Sequence, residues 1–347
     1  VQRPDDRTDA DRPAIELVGV RKAFTTGRLT LRRHRFIPKV SRETRHREVL
    51  TGIDLSVPTG EVLGYVGENG SGKTTTLRLI SGIVHPDSGS IRLHGRSPHD
   101  DREVKRDLGI VFGQRTQLWW DLPARTSFEI LADIYSVSRS DLRKRLAELD
   151  ELFGVSEYWD TPVRHLSLGQ RMQCDLVAAV IHRPRILILD EPTIGLDAAA
   201  RARFRVFVED LRRSRTTTVL LTTHDLNELA RMSDSLAVLV DGRVGFRGSL
   251  GALRTQQDLP TMVKLSLFGP AEGLGPEPLP GVRLHSVSGD TATYRLADRA
   301  HVGPLLAHVA GRADIRDVHV VEVQLDDLVR HLYEGVSSPS ASSAEAS

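Results

Sequence analysis

Cysteine is almost absent: Cys174 stands alone in 347 residues. One thiol cannot form an intramolecular disulfide, which excludes a disulfide-stapled secreted fold and fits a reducing cytosol. Long hydrophobic runs are missing too. Those present, such as 186–189 and 236–240, fall far short of the roughly 20 apolar residues that span a bilayer. The N-terminus is polar and acidic, without an apolar signal region. Any membrane role is therefore expected to come through a partner chain. Neither sign of charge dominates: 47 Lys+Arg face 46 Asp+Glu, for a formal net charge of +1. A duplex-binding domain usually carries a basic excess, so no nucleic-acid partner is expected. The 13 histidines form no H-E-x-x-H motif and no Cys/His cluster, so no transition-metal site is expected. Lysine is scarce, with six against 41 arginines. A GC-rich genome imposes such a bias, and it draws attention to each lysine that remains.

What is present is the balance of a globular protein: 39% hydrophobic and 27% charged residues, in a chain long enough for two domains. Residues 1–13 are charged and aperiodic and read as a mobile tail. Strands are expected at 15–20, 52–57 and 62–66, the last of them buried. A helix over 74–82 and a strand over 90–93 follow, the strand after a Pro-Asp-Ser-Gly turn. Apolar residues three and four apart predict helix across 126–152, and a second helix runs from 169 to 181, stopped at Pro184. The run 185–189 reads as a central strand. Helix 198–213, strand 217–222, helix 226–232 and strand 235–240 complete an alternation that argues a mostly parallel α/β sheet.

Two regions stand apart. The stretch 25–47 carries eight Lys/Arg against the single acid Glu43. It reads as a solvated basic insertion, with anionic lipid headgroups as the other use of its charge. Beyond residue 254, strands at 262–267, 282–287, 291–296 and 315–323 and helices at 301–311 and 325–333 outline a small α+β domain over 255–335, interrupted by a Gly/Pro-rich break at 269–281. The Ser/Ala-rich end, 336–347, reads as disordered.

Gly67-Glu68-Asn69-Gly70-Ser71-Gly72-Lys73-Thr74 fits the pattern G-x-x-x-x-G-K-[ST], between a buried strand and a helix. The glycines let the backbone turn its amides toward one point, and the helix adds its positive end. Lys73 would bring a point charge to the β- and γ-phosphates of a nucleotide, and the Thr74 hydroxyl would ligate Mg²⁺. Asn69, Ser71 and Thr75 complete the candidate cradle. A Gly-rich surface turn is the plain alternative. Yet composition alone would produce the pattern only about 0.005 times. Asp190 closes the buried run Ile186-Leu187-Ile188-Leu189. A lone carboxylate there is costly, and a Mg²⁺ ion would compensate it. Consecutive side chains diverge in a strand, so Asp190 can serve the metal while Glu191 orients and deprotonates an attacking water.

With these motifs in place, the chain resembles the nucleotide-binding subunits of ABC transporters. Leu166-Ser167-Leu168-Gly169-Gln170 is similar to that family's signature motif, with Leu168 where Gly is commoner. The resemblance extends from about residue 15 to 248 and implies an ABC-type P-loop NTPase cassette: a mostly parallel core sheet, an antiparallel β subdomain and a helical subdomain over about 115–182. It implies that Gln114 senses Mg²⁺ and water, that Asp197 in Ile194-Gly195-Leu196-Asp197 belongs to the D-loop, that His224 contacts the γ-phosphate, and that Phe24 stacks on adenine. It also implies that Ser167, Gly169 and Gln170 reach the γ-phosphate bound by another copy.

The cofactors implied are ATP and Mg²⁺. The partners implied are a second copy of the chain and two integral-membrane permease subunits, which would place the protein at the cytoplasmic face of the plasma membrane. The segment Val111 to Pro123 is similar to ATPases of ethyl-viologen exporters that serve type-2 permeases, and the C-terminal domain resembles that of drug-resistance exporter ATPases. That resemblance implies export. A cassette that signals through a membrane complex without moving a solute is the alternative. Trp119 and Trp120 read equally as a socket for a permease helix and as packing within the helical subdomain.

Overall fold

The computed structural model describes residues 12–34, 37–113, 115–256, 261–271, 274–297 and 299–321, with Val329 and Leu332. Most of the expected helix over 325–333, most of the N-terminal tail and the C-terminal tail lie outside these residues, while Val329 and Leu332 are helical and buried. The chain divides into two compact units, Val1–Gly248 and Ser249–Ser347.

The first unit opens with β1 (Ile15–His34) and β2 (Ile37–Val57), a long antiparallel ribbon. The stretch 25–47 read as a solvated basic insertion is thus the outer part of this ribbon, with Arg28 paired to Glu43 and Arg32 to Lys39. Its residues alternate too little in hydropathy to announce strands. They extend because the apolar inner arms, around Ile15, Leu17, Leu50 and Leu55, are anchored in the core. Then come β3 (Val62–Gly67), α1 (Lys73–Ile80) and β4 (Ser88–Leu93). β4 adds to β1, giving the antiparallel sheet β2-β1-β4.

β5 (Leu108–Phe112) was not expected, because its short apolar run carries no alternation. The helical pattern over 126–152 resolves into α2 (Ala124–Ile134) and α3 (Arg139–Phe153). Ser136 between them takes φ 58°, and Ser138 caps α3 by accepting from the Asp141 N–H at 3.1 Å. After α4 (Leu168–Val180) come β6 (Ile186–Asp190), α5 (Ala198–Ser214), β7 (Thr218–Thr222), α6 (Leu226–Met232) and β8 (Ser235–Val240). β9 (Arg243–Gly248) also escaped the sequence reading. Its signal was the Asp241-Gly242 pair, whose φ values of 47° and 74° suit the tight hairpin to β8.

These strands form a six-stranded sheet in the order β5-β6-β7-β3-β8-β9, parallel except for the β8–β9 pair. All five residues of β6 and of β7 are buried, as central parallel strands require. The carboxyl ends of β3, β6 and β7 lead into Lys73, Asp190–Glu191 and His224, so one edge of the sheet collects the candidate chemistry. A core of Leu63, Tyr65, Leu77, Ile188 and Leu239 joins this sheet to the antiparallel one through Ile15, Leu50 and Ile53.

The second unit holds α7 (Leu250–Gln256), β10 (Thr261–Leu267), β11 (Val282–Ser288), β12 (Thr291–Leu296), α8 (Val302–Ala310) and β13 (Ile315–Val321). Its sheet runs β11-β12-β10-β13, antiparallel throughout. Leu305 and Val309 of α8 share a core with Val263, Leu265 and Tyr294 of the sheet. Among the described residues no helix is long and apolar enough to cross a membrane.

In the first unit β5 runs so close to α4 that a Cβ on Gly109 would collide with the Ala179 carbonyl oxygen. Backbone cannot yield as a side-chain tip can. Gly109→Ala is expected to destabilise the first unit by about 1–3 kcal/mol, read as a lower denaturation midpoint at unchanged m-value.

Candidate nucleotide site

The loop from Gly67 to Thr74 is shaped by its glycines. Gly72 caps α1 at φ 111°, and a Cβ there would meet Leu50 Cδ2 at 2.5 Å, so no other residue fits. Lys73 folds back and donates to the Gly67 carbonyl at 2.5 Å and to that of Glu68 at 3.1 Å. Burial pushes its ammonium below the ordinary lysine value, against the opposing pull of Glu191, Asp190 and Glu68. Among the described residues the Ser71 hydroxyl is buried with no hydrogen-bond partner. An unpartnered buried hydroxyl is unfavourable, and a phosphate oxygen in the loop would satisfy it.

Across the sheet edge, Asp190 ends β6 almost fully buried. Its Oδ2 accepts from Thr74 Oγ1 at 3.1 Å and its Oδ1 from Thr222 Oγ1 at 2.7 Å. Thr74 and Asp190 thus present hard oxygens side by side, the donor type Mg²⁺ prefers. Among the described residues no cluster of three or more His, Cys, Asp or Glu could hold a metal alone. Mg²⁺ needs none, because it keeps waters and takes substrate phosphate oxygens. The residues present fit ATP with Mg²⁺.

Glu191 adopts φ 56°, a left-handed conformation that costs a non-glycine residue about 1 kcal/mol or more. Its N–H donates to both the Thr222 carbonyl, at 3.2 Å, and Thr222 Oγ1, at 3.1 Å, which holds the turn. The turn sends the carboxylate away from Asp190 and onto His224, whose Nδ1 lies 2.8 Å from Glu191 Oε2. The two consecutive carboxylates are thereby directed to different partners.

Lys73, Thr74, Asp190 and Glu191 open on one cavity of about 570 Å³, lined also by Phe24, Asn69, Gly70 and Thr75, whereas Ser71, Thr222 and His224 are not among its lining residues. Arg47, Val49 and Arg115 line it as well, and the sequence reading missed them. For Arg47 the only available signal was its register opposite Phe24, which charge counting hides. Gln114 lies outside the described residues.

Ser167, Gly169, Gln170 and Asp197 do not line this cavity. Ser167 caps α4 in a reciprocal box: its Oγ accepts from the Gln170 N–H at 3.2 Å, and Gln170 Oε1 accepts from the Ser167 N–H at 2.9 Å. Asp197 caps α5 by accepting from the Ala200 N–H at 2.7 Å. The two turns touch, since a Cβ on Gly169 would lie 2.7 Å from the Gly195 carbonyl oxygen.

The segment after residue 114 is fastened to α4 by Asp175. Its Oδ1 accepts from Thr116 Oγ1 at 2.9 Å and from the Gln117 N–H at 3.0 Å. Trp119 and Trp120, which follow, are half-exposed, and Trp120 lies under the Arg171 guanidinium at 5.5 Å.

Among known proteins, the ABC transporter family matches residues 50–194. The chain is 34% identical to the ABC transporter ATP-binding protein NatA of Bacillus subtilis, over 58% of this chain and 82% of that one. It is 33% identical to a Nod factor export ATP-binding protein I of Burkholderia orbicola, over 78% and 88%. It is 31% identical to the sulfate/thiosulfate import ATP-binding protein CysA of Synechococcus elongatus, over 85% and 88%. Two solved structures are similar. An ATP-binding subunit of an ABC transporter aligns with TM-score 0.61 at 25% identity, over 70% of this chain and 92% of that one. The dimeric cassette MJ0796, bound to ADP and Pi, aligns with TM-score 0.58 at 26% identity, over 68% and 98%. The fold is therefore the P-loop NTPase ABC cassette. The chain belongs to the ABC transporter family as an ATP-binding subunit, an ATPase that couples to a membrane permease.

Burial raises the Asp175 carboxyl to about 6, only partly offset by its two hydrogen bonds. A carboxyl raised on folding binds more protons in the native state between the unfolded and folded values, so its contribution to stability falls as pH rises from about 4 to 6, by roughly 3 kcal/mol in all. Asp175→Asn abolishes that dependence. The stability of the Asn variant relative to wild type is expected to improve from pH 4 to pH 7, measured by denaturant titration at each pH.

Proposed function

We propose that two copies of this chain bind two ATP molecules at their shared interface and use hydrolysis to drive export through separate permease subunits. The observation that carries the reading is that Lys73, Thr74, Asp190 and Glu191 line one cavity, with Thr222 hydrogen-bonded to Asp190 and His224 to Glu191.

In this reading the amides of residues 67–74 and the Lys73 ammonium hold the β- and γ-phosphates, with adenine against Phe24. Mg²⁺, when bound, neutralises phosphate charge and helps orient the γ-phosphate. Thr74 and Asp190 would hold it. Glu191 takes a proton from the attacking water, and His224 keeps the carboxylate aimed and faces the γ-phosphate. Ser167 and Gly169 sit outside this cavity, so a site that uses them takes them from a second copy. Such an isologous pair has two equal sites, and the contacts exist only when it is closed. Asp197, which caps the helix beside the signature turn, would face the seam. The half-exposed Trp119 and Trp120 suit a permease helix.

The direction rests on the second unit and on relatives. The described part of that unit is one antiparallel sheet with α7 and α8, which suits the resemblance to the C-terminal domain of drug-resistance exporter ATPases, and the Nod factor export proteins match over most of their length. The sulfate/thiosulfate importer similarity favours a second reading, import. ATP added on the cassette side of reconstituted proteoliposomes separates the two: solute leaving that side supports export, and solute arriving there overturns it.

Glu191→Gln is expected to bind ATP normally and to lose turnover by roughly 10²–10⁴, while dimerising with ATP on size-exclusion chromatography. Full turnover in this variant would remove Glu191 from the role, and a strictly monomeric ATP-bound form would overturn the shared-site arrangement. Lys73→Ala is expected to weaken ATP binding measured by titration calorimetry; unchanged affinity would contradict its assignment.

A further inference from the structure

The cavity holds a cation that the sequence motifs do not explain. Arg47 lines it with Phe24, Asn69, Gly70 and Lys73. In the β1–β2 ladder Arg47 sits directly opposite Phe24, and cross-strand partners share one face of a sheet. Aromatic ring and guanidinium therefore project to the same side. The Arg47 Nη2 lies 3.6 Å from the point a Cβ on Gly70 would occupy, which sets the guanidinium over the middle of the phosphate loop. Its sequence neighbour Glu48 is taken by Arg21 at 3.4 Å. Among the described residues the Arg47 guanidinium has no hydrogen-bond or ion-pair partner.

Lys73 differs in kind. It is buried, bonded to two carbonyls and flanked by three acids. Arg47 is an exposed, uncommitted fork of donors beside a loop whose backbone is built to receive oxyanions. A guanidinium matches a phosphate with two parallel N–H···O bonds, which an ammonium cannot do.

We infer that Arg47 is a nucleotide-binding residue whose guanidinium contacts the phosphate chain between the base on Phe24 and the end gripped by Lys73. The inference rests on reading the cavity as a nucleotide site. It specifies the ligand as one carrying at least two phosphates, and it makes the root of the β1–β2 ribbon part of the site.

The test titrates ATP, ADP and adenosine against the full chain as wild type, Arg47→Ala, Arg47→Gln, Arg47→Lys and Lys73→Ala, with ligand-free melting curves to compare folding. A charge-assisted contact of this kind predicts that Arg47→Ala and Arg47→Gln each weaken ATP and ADP roughly ten-fold or more. Adenosine binding should stay unchanged, and Arg47→Lys should recover part of the loss. If Arg47→Ala and Arg47→Gln bind ATP and ADP within about two-fold of wild type while Lys73→Ala is weakened, Arg47 is a solvated cation and the inference fails with the nucleotide site intact. If Lys73→Ala also binds as wild type, the nucleotide reading itself fails. An equal loss for adenosine would mean that Arg47 acts on the base platform, and would overturn the phosphate contact.

Discussion

Much of the first unit turns on one carboxylate. Asp190 sits at the buried end of β6 and joins three elements: α1 through Thr74, its own strand, and β7 through Thr222. Charge this deep is unfavourable unless its lone pairs are met. Two hydroxyls meet them, and both belong to residues whose places are set by the parallel sheet, since Asp190 and Thr222 are register partners. The same register brings Thr222 under Glu191, where it receives the N–H of a residue in a strained backbone conformation. Sheet pairing, charge compensation and local strain are one arrangement. Strain of this sort persists only where the surroundings over-determine it.

A second constraint is closeness. The glycines at the site are set by what stands opposite them rather than by turns alone. Gly72 faces Leu50 of the antiparallel sheet, and Gly169 faces the Gly195 backbone. The first contact lets β2 lie against the phosphate loop. The second locks the signature turn to the turn that begins α5. Asp175 adds a polar fastening from α4 to the segment leading to the two tryptophans. Movement of that segment therefore carries a buried, hydrogen-bonded carboxylate with it, which favours rigid-body motion of α4 and the segment together over independent drift.

The elements legible in the sequence were those with a local physical signature. The run 186–189 announced a central strand because parallel strands bury both faces, and Gly67 to Thr74 announced an anion loop because only that spacing turns the amides inward. Helix α4 was legible from its periodicity and the stop at Pro184. What escaped was long-range. β5 and β9 are strands because neighbours pair with them, and the outer ribbon of 25–47 is extended because its inner ends are anchored. The break between α2 and α3 depends on Ser136 adopting positive φ, which an unbroken helical periodicity conceals. At the site, Arg47 was counted with its basic neighbours. Only cross-strand register distinguishes it from them.

The capping box at Ser167 bears on how the signature turn can meet a ligand. A serine hydroxyl offers one hydrogen and two lone pairs, and in the box it spends only a lone pair on the Gln170 amide. Its hydrogen stays available to an incoming oxyanion without opening the helix start. Gln170 is braced through its carbonyl oxygen, which accepts from the Ser167 amide, and its NH2 group keeps its own donors. If the turn receives a phosphate as proposed, recognition there would fall to the hydroxyl, the Gln170 NH2 group and the first free amides of the helix. The glutamine serves as a brace that keeps them aimed before any second surface arrives.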